Sequence, residues 1–211
     1  MVTADIFAGT GSSRNPVKCY HSNALQQNAV LYRKDLGIEK SFAEVLSPAD
    51  IKEPIERRQI ICVKSGSRRL LICSAYLTSG NESFPLNVRR KEAAAAKALL
   101  ARAEYAGYTK FLGGDFDDDP LSAVADNFYD PGYGRGAHGT FKETDSPCGN
   151  TIKEGEFVGS VYIWCRSGEA THDSGDKFDY LFVPPSVHVT SSDATSSKVS
   201  DHKPLWAEVT L

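Results

Sequence analysis

Near the end of the chain, Ser200, Asp201, His202, Lys203 and Pro204 set a carboxylate beside an imidazole just before a terminal apolar strand. Two upstream segments offer partners: the acid-rich run Gly113, Gly114, Asp115, Phe116, Asp117 and the apolar stretch Phe178, Asp179, Tyr180, Leu181, Phe182. A carboxylate among residues as apolar as those around Asp179 is costly to bury alone. His202 is its natural partner. An imidazole gripped by a carboxylate at one ring nitrogen has a fixed tautomer and raised basicity, which leaves the other nitrogen to face a reacting phosphate. Asp201 then points alongside, free to take a metal ion. Together the three segments describe a hydrolytic site.

Such groups need rigid backbone behind them, and each segment sits where an apolar strand ends. The pattern predicts strands near Ala29–Arg33, Gln59–Val63, Leu70–Leu77 and Thr109–Gly113, the last delivering Asp115 through a glycine turn. Val88–Ala106 reads as the clearest helix, with Ala98, Leu99, Leu100, Ala101 and Tyr105 on one side, Arg89, Lys91, Lys97 and Arg102 on the other, and Gly107 as its stop. A short helix is expected from Pro120 to Ala125, then a glycine-laden loop over Asp130–Gly139 in which His138 is solvent-exposed. Tyr162, Ile163 and Trp164 read as core, His172 as structural, and Ser191–Ser197 as a surface turn. Residues 1–27 read as loop; their Gly-Thr-Gly-Ser-Ser run lacks the Gly-Lys-Ser/Thr ending of a phosphate-binding P-loop.

The motifs resemble a known family. GGDFDDDP is similar to the GDFN motif, KFDYLFV to the IDYIF motif and SDHKP to the SDH-P motif of the endonuclease/exonuclease/phosphatase superfamily, also called deoxyribonuclease-I-like, in the same order and spacing. The resemblance implies one α/β domain over residues 1–211, a four-layer α/β/β/α sandwich of two mainly antiparallel sheets. It also implies metal-dependent hydrolysis of phosphodiesters, with a nuclease as the leading reading and phosphatase or sphingomyelinase substrates as others. Asp115 corresponds to the acid that orients or deprotonates the attacking water, and Asp117 to a group binding phosphate or metal. Asp179 is the partner of His202, which contacts the scissile phosphate. Asp201 helps hold Mg2+ or Mn2+, hard ions that suit carboxylate oxygens and polarise a phosphoryl oxygen. The family places an Arg just before the strand at Gln59, so Arg57 or Arg58 is expected to clamp phosphate.

Three departures accompany the match. Asp117 stands where the family has Asn, adding a negative charge that repels phosphate unless a cation intervenes. Tyr76 stands where a His-Leu pair is common; it donates a hydrogen bond but stays neutral near pH 7. The family's opening strands, one ending in Asn and the next in Gln-Glu, have no counterpart in residues 1–27, whose one acid is Asp5. The chain thus resembles a member lacking its first strands, completed by residues 1–27, a missing N-terminal segment or a partner chain. These departures also carry a reading from another class, a catalytically impaired scaffold used as a binding protein.

Composition sets the limits. At 211 residues and 41% hydrophobic content the chain can bury one sizeable core, and no stretch is apolar for long enough to span a bilayer. The net charge of -3 argues against strong sequence-independent binding of nucleic acid, although Arg57–Arg58, Arg68–Arg69 and Arg89–Lys91 are local basic clusters. Of five cysteines, Cys62 and Cys73 sit in apolar runs and read as small core residues. The absence of a CxxC pair argues against structural zinc. Cys148 and Cys165 flank a loop-rich segment, where the resemblance to secreted bacterial members implies a disulfide and favours an extracellular location.

Overall fold

The computed structural model describes residues 4–9, 28–51 and 57–211. The chain has a mixed α/β fold, and it divides into two compact units, Met1–Leu112 and Gly113–Leu211.

In the first unit, β1 (Ala4–Gly9) runs antiparallel to β2 (Asn28–Arg33), Ala4 opposite Arg33 and Gly9 opposite Asn28. This corrects the expectation of a loop throughout residues 1–27; the Gly-Thr-Gly-Ser-Ser turn beyond Gly9 lies outside the described residues. A meander of β3 (Lys40–Val45), β4 (Gln59–Ser65) and β5 (Leu70–Tyr76) is antiparallel, with β4 between its neighbours. A strand covered on both faces favours a near-continuous apolar run, and β4 supplies Ile60, Ile61, Cys62 and Val63, all fully buried. Val30 of β2 packs on Ile61 and Val63.

The helix α1 spans Ser83–Leu100, starting and ending earlier than the pattern predicts. Pro85 fits its first turn, where no intrahelical N–H is needed. A separate 3-10 turn covers Ala103–Tyr105, after which Gly107 takes a positive φ of 72°. Of the apolar side read from sequence, Leu99, Leu100 and Tyr105 are buried and Ala98 and Ala101 are exposed; the buried face of the helix also carries Val88, Ala93 and Ala96 together with Arg89 and Glu92. Arg89 donates to the carbonyls of Thr78 (2.8 Å) and Gly80 (2.9 Å), while Glu92 accepts from the Thr78 amide and from the Ser47 and Thr78 hydroxyls. Charges can be buried when their partners are this complete.

Strand β6 (Thr109–Asp115) ends in the second unit. There β10 (Asp179–Val183) pairs antiparallel with the two-residue β7 (Lys142–Glu143), β8 (Gly155–Val158) with β9 (Val161–Trp164), and β11 (His188–Ala194) with β12 (Leu205–Thr210). Strand β11 covers Ser191–Ala194 of the turn expected over Ser191–Ser197, and Thr195–Ser197 follow it outside any strand. The expected helix at Pro120–Ala125 is instead a set of turns, tied by Asp119 accepting from the Leu121 amide and by the Ser122 hydroxyl accepting from Ala125. The hairpin β8–β9 carries exposed Phe157, Val158, Val161 and Tyr162, so Tyr162 is not core, and Ile163 and Trp164 are only half-buried. Trp164 lies beneath the Arg135 guanidinium, and the exposed Trp206 of β12 donates its indole N–H to Thr195.

The core of this unit is aromatic: Phe116, Phe128, Tyr129, Tyr133, Tyr180 and Phe182 are all buried, with Phe116–Phe128 and Tyr129–Phe182 centroids 4.9 and 5.1 Å apart. Into it is set a charge network. Lys177 pairs with Glu143 (2.7 Å) and Asp145 (3.0 Å), Glu143 also accepts from the Tyr129 hydroxyl, and the buried Arg166 pairs with Asp126 (2.8 Å).

Two disulfides are formed. Cys62 and Cys73, directly opposite on β4 and β5, are buried as expected but bonded to one another, which corrects their reading as separate core residues. Cys148 pairs with Cys165, as the resemblance implied, and Cys19 lies outside the described residues. Closing a 17-residue separation constrains the unfolded chain. Replacing both Cys148 and Cys165 with alanine is expected to lower unfolding free energy by about 3 kcal/mol, measured by urea denaturation. Among the described residues no helix is long and apolar enough to cross a membrane.

Candidate active site

Three segments of the second unit meet through their backbones. The Phe116 amide donates to the Phe178 carbonyl (2.8 Å), which brings the end of β6 beside the start of β10. The buried Thr171 hydroxyl accepts from the amides of both Phe178 (3.0 Å) and Asp179 (2.9 Å), and the Thr171 carbonyl accepts from the Lys203 amide (2.7 Å). Thr171 therefore joins Asp179 to the segment bearing His202. A β-bridge between His172 and His202 and a bond from the Asp173 amide to the Asp201 carbonyl complete the seam.

The acid loop after β6 is held as tightly. Gly114 takes a φ of 141°, open chiefly to glycine, and Gly113 passes so close to Leu181 that a Cβ there would lie 2.8 Å from its methyl group. Asp117 is left-handed at φ 51°, a conformation Asp tolerates, and its amide donates to Asp115 Oδ1 (3.0 Å). The Tyr180 hydroxyl donates to the Asp118 carbonyl (2.6 Å) and pins the loop from beneath.

On this frame His202 Nδ1 bonds Asp179 Oδ2 at 2.8 Å. Asp115, Asp179 and His202 each present a ligand atom within 4.8 Å of the others, as do His172, Asp201 and His202. Burial, reinforced by the charges of Asp179 and Asp117, pushes the Asp115 carboxyl up to about 6. Burial works against the charged form of His202, but the Asp179 hydrogen bond and charge outweigh it and hold the imidazole above its ordinary 6.5. A backbone hydrogen bond and the nearby His172 keep exposed Asp201 below the usual carboxylate range. Half-buried acid, carboxylate-held imidazole and ionised outer carboxylate form a set suited to moving a proton from water and meeting an anion.

No protein-family profile matches the sequence, and no curated protein matches it. Solved structures do. The human Nocturnin catalytic domain with bound sulfate anion is similar at a TM-score of 0.66 and 14% identity, over 99% of this chain and 72% of that one. An endonuclease/exonuclease/phosphatase from Bacteroides vulgatus is similar at 0.59 and 15% identity, over 99% and 76%. ANGEL2, a 2',3'-cyclic phosphatase solved with adenosine-2',3'-vanadate, is similar at 0.54 and 12%, over 98% and 74%. The chain has the endonuclease/exonuclease/phosphatase fold. In this fold the residues picked from sequence fall into two groups. Asp115, Asp117, Asp179, Asp201 and His202 come together in the second unit. In the first unit the guanidinium of buried Arg58 lies 3.9 Å over the Tyr76 ring, whereas exposed Arg57 donates to the Ala49 carbonyl. Of the two arginines, Arg58 is thus the one paired with Tyr76.

His138 is exposed, with its ring against its own loop's Gly136 carbonyl. The residue that sequence reasoning passed over is His172, whose ring centroid lies 4.8 Å from that of His202. Its signal was its place directly after Thr171, before the Asp179 strand.

Proposed function

We propose that the chain hydrolyses phosphate diesters, with nucleic acid as the leading substrate, assisted by Mg2+ or Mn2+. The observation that carries this reading is the 2.8 Å Asp179–His202 pair set beside an Asp115 whose proton affinity has been moved toward neutrality. Asp115 takes a proton from water as its oxygen attacks phosphorus. The P–O ester bond opposite breaks, and the leaving oxygen takes a proton from solvent. His202, protonated and donating Nδ1–H to Asp179, offers Nε2–H to a phosphoryl oxygen as negative charge gathers there. The carboxylates fit a hard ion: Asp201 is exposed and ionised, and Asp115 and Asp179 converge. When bound, that ion polarises a phosphoryl oxygen. Phosphoester chemistry is also what ANGEL2 performs, and the sulfate in the Nocturnin structure is a phosphate-like anion. The two disulfides support an oxidising compartment outside the cytosol.

The test is cleavage of supercoiled plasmid and of bis-p-nitrophenyl phosphate with Mg2+, Mn2+ or EDTA. EDTA-sensitive turnover that disappears in Asp115→Asn supports the reading, and turnover indifferent to that substitution sinks it. The pH profile adds a second check. Asp115 must be ionised and His202 protonated, so kcat/KM is expected to rise through about 6 and fall above the ordinary histidine value. Because Asp117 is one of the charges raising Asp115, Asp117→Asn is expected to move the rising limb to lower pH.

A second reading has its own support. The extra Asp117 carboxylate, which repels phosphate unless a cation intervenes, and the neutral Tyr76 ring under Arg58 fit a catalytically impaired scaffold used as a binding protein. Absence of metal-dependent cleavage by the folded wild type in the same assay would favour it.

A further inference from the structure

The geometry points to a transition-metal site formed by His172, Asp201 and His202, taking a borderline ion such as Zn2+ and overlapping the hydrolytic site. One ligand atom from each residue lies within 4.8 Å of the others. His172 Nε2 and Asp201 Oδ2 stand 3.5 Å apart, long for a good hydrogen bond. It is close to the roughly 3.3 Å that separates two ligands bound tetrahedrally to an ion at about 2.0 Å.

The outer partners make the case stronger than proximity alone. Imidazoles that bind metal usually donate their other ring N–H to a carboxylate, a backbone carbonyl or water. His202 rests Nδ1 on Asp179 (2.8 Å), and His172 rests Nδ1 on the Ser174 hydroxyl (2.7 Å), which donates onward to Asp176 (2.7 Å). His172 Nδ1 also faces the Ser174 amide, a donor at 3.1 Å, so the ring has two neutral forms; an ion on Nε2 selects the one that donates Nδ1–H to the Ser174 hydroxyl, itself donating to Asp176. Both histidines engage Nδ1 with these outer partners, His172 Nε2 faces Asp201, and Asp201 adds an exposed carboxylate that can close on an ion. Two imidazoles and one carboxylate suit Zn2+ with its fourth position open, whereas Mg2+ prefers oxygen. The backbone bridge between His172 and His202 brings the two rings to a centroid distance of 4.8 Å.

An ion here engages the His202 nitrogen that faces phosphate. Zn2+ therefore inhibits the Mg2+-supported reaction, a consequence resting on the proposed hydrolysis; metal binding itself does not.

Isothermal titration with Zn2+ and visible spectra with Co2+ as probe test the site on the purified chain. Wild type and Asp115→Asn are expected to bind one ion, with a tetrahedral Co2+ spectrum and a zinc-dependent rise in melting temperature. Ser174→Ala is expected to weaken binding roughly 10-fold, and His172→Ala by at least about 100-fold, since losing a ligand costs more than losing its outer partner. Should His172→Ala fail to fold, His172→Asn and Ser174→Ala carry the same comparison. Zinc binding that survives loss of His172, or that disappears in Asp115→Asn, would overturn the assignment, as would no binding by wild type. Inhibition is read against each variant's own zinc-free rate. Absence of hydrolysis by every form would count against the proposed function while leaving the binding result to stand.

Discussion

His202→Ala is expected to lower kcat for a phosphodiester by about 10³-fold, within the range that a positioned acid–base group contributes. His202 is half-buried, and its ring meets Asp179 and the His172 ring, neither of them a core residue. The variant should therefore keep its circular-dichroism spectrum and lose the falling limb of the pH profile. Asp179→Asn separates positioning from contact. The amide can still reach His202 but no longer favours the imidazolium, so the falling limb should move toward lower pH as kcat drops. A rate within a few-fold of wild type for His202→Ala would remove the central element of the proposed chemistry.

Lys177→Met is the second large effect, and it falls on stability. Burial opposes the charge on Lys177, but Glu143 and Asp145 more than compensate and raise its pKa, while Glu143 is itself buried and drawn upward by desolvation. Removing the lysine leaves Glu143 without its cation in an aromatic core. Breaking a buried pair from one side costs about 3–5 kcal/mol, or roughly 10 °C in melting temperature for a protein of this size. Because the penalty comes from the stranded carboxylate, the double variant Lys177→Met, Glu143→Leu should recover much of the loss in urea denaturation. Equal instability of single and double variants would mean that the network matters through its shape and not through its charge.

The centre of the site was legible because its residues obey strong local constraints. An acid inside Phe178–Phe182 needs a partner, Gly113 and Gly114 announce a sharp turn, and an Asp-His pair, common by itself, takes its meaning from those two upstream segments. His172 was not legible, since an isolated histidine carries no charge requirement that spacing can reveal; only the bridge to His202 and the 3.5 Å approach to Asp201 give it a role. Periodicity found α1 and the burial of Leu99, Leu100 and Tyr105, but put Arg89 on the wrong side. Arg89 and Glu92 look like solvent residues until Thr78, Gly80 and Ser47 arrive from elsewhere in the chain to satisfy them. The same limit applies to β11, whose Ser-rich sequence has weak strand character and is held in place by pairing with β12. The β8–β9 hairpin misled in the opposite sense: Tyr162, Ile163 and Trp164 read as core, whereas Tyr162 is exposed and the other two are half-buried.

The chain's two tryptophans, Trp164 and Trp206, both belong to the second unit. Indole emission during denaturation is therefore blind to the meander of β3, β4 and β5, whereas far-ultraviolet dichroism is dominated by α1 in the first unit. Superimposable melting curves from these two signals would show that the halves lose structure cooperatively, and separated midpoints would reveal an intermediate with one half folded.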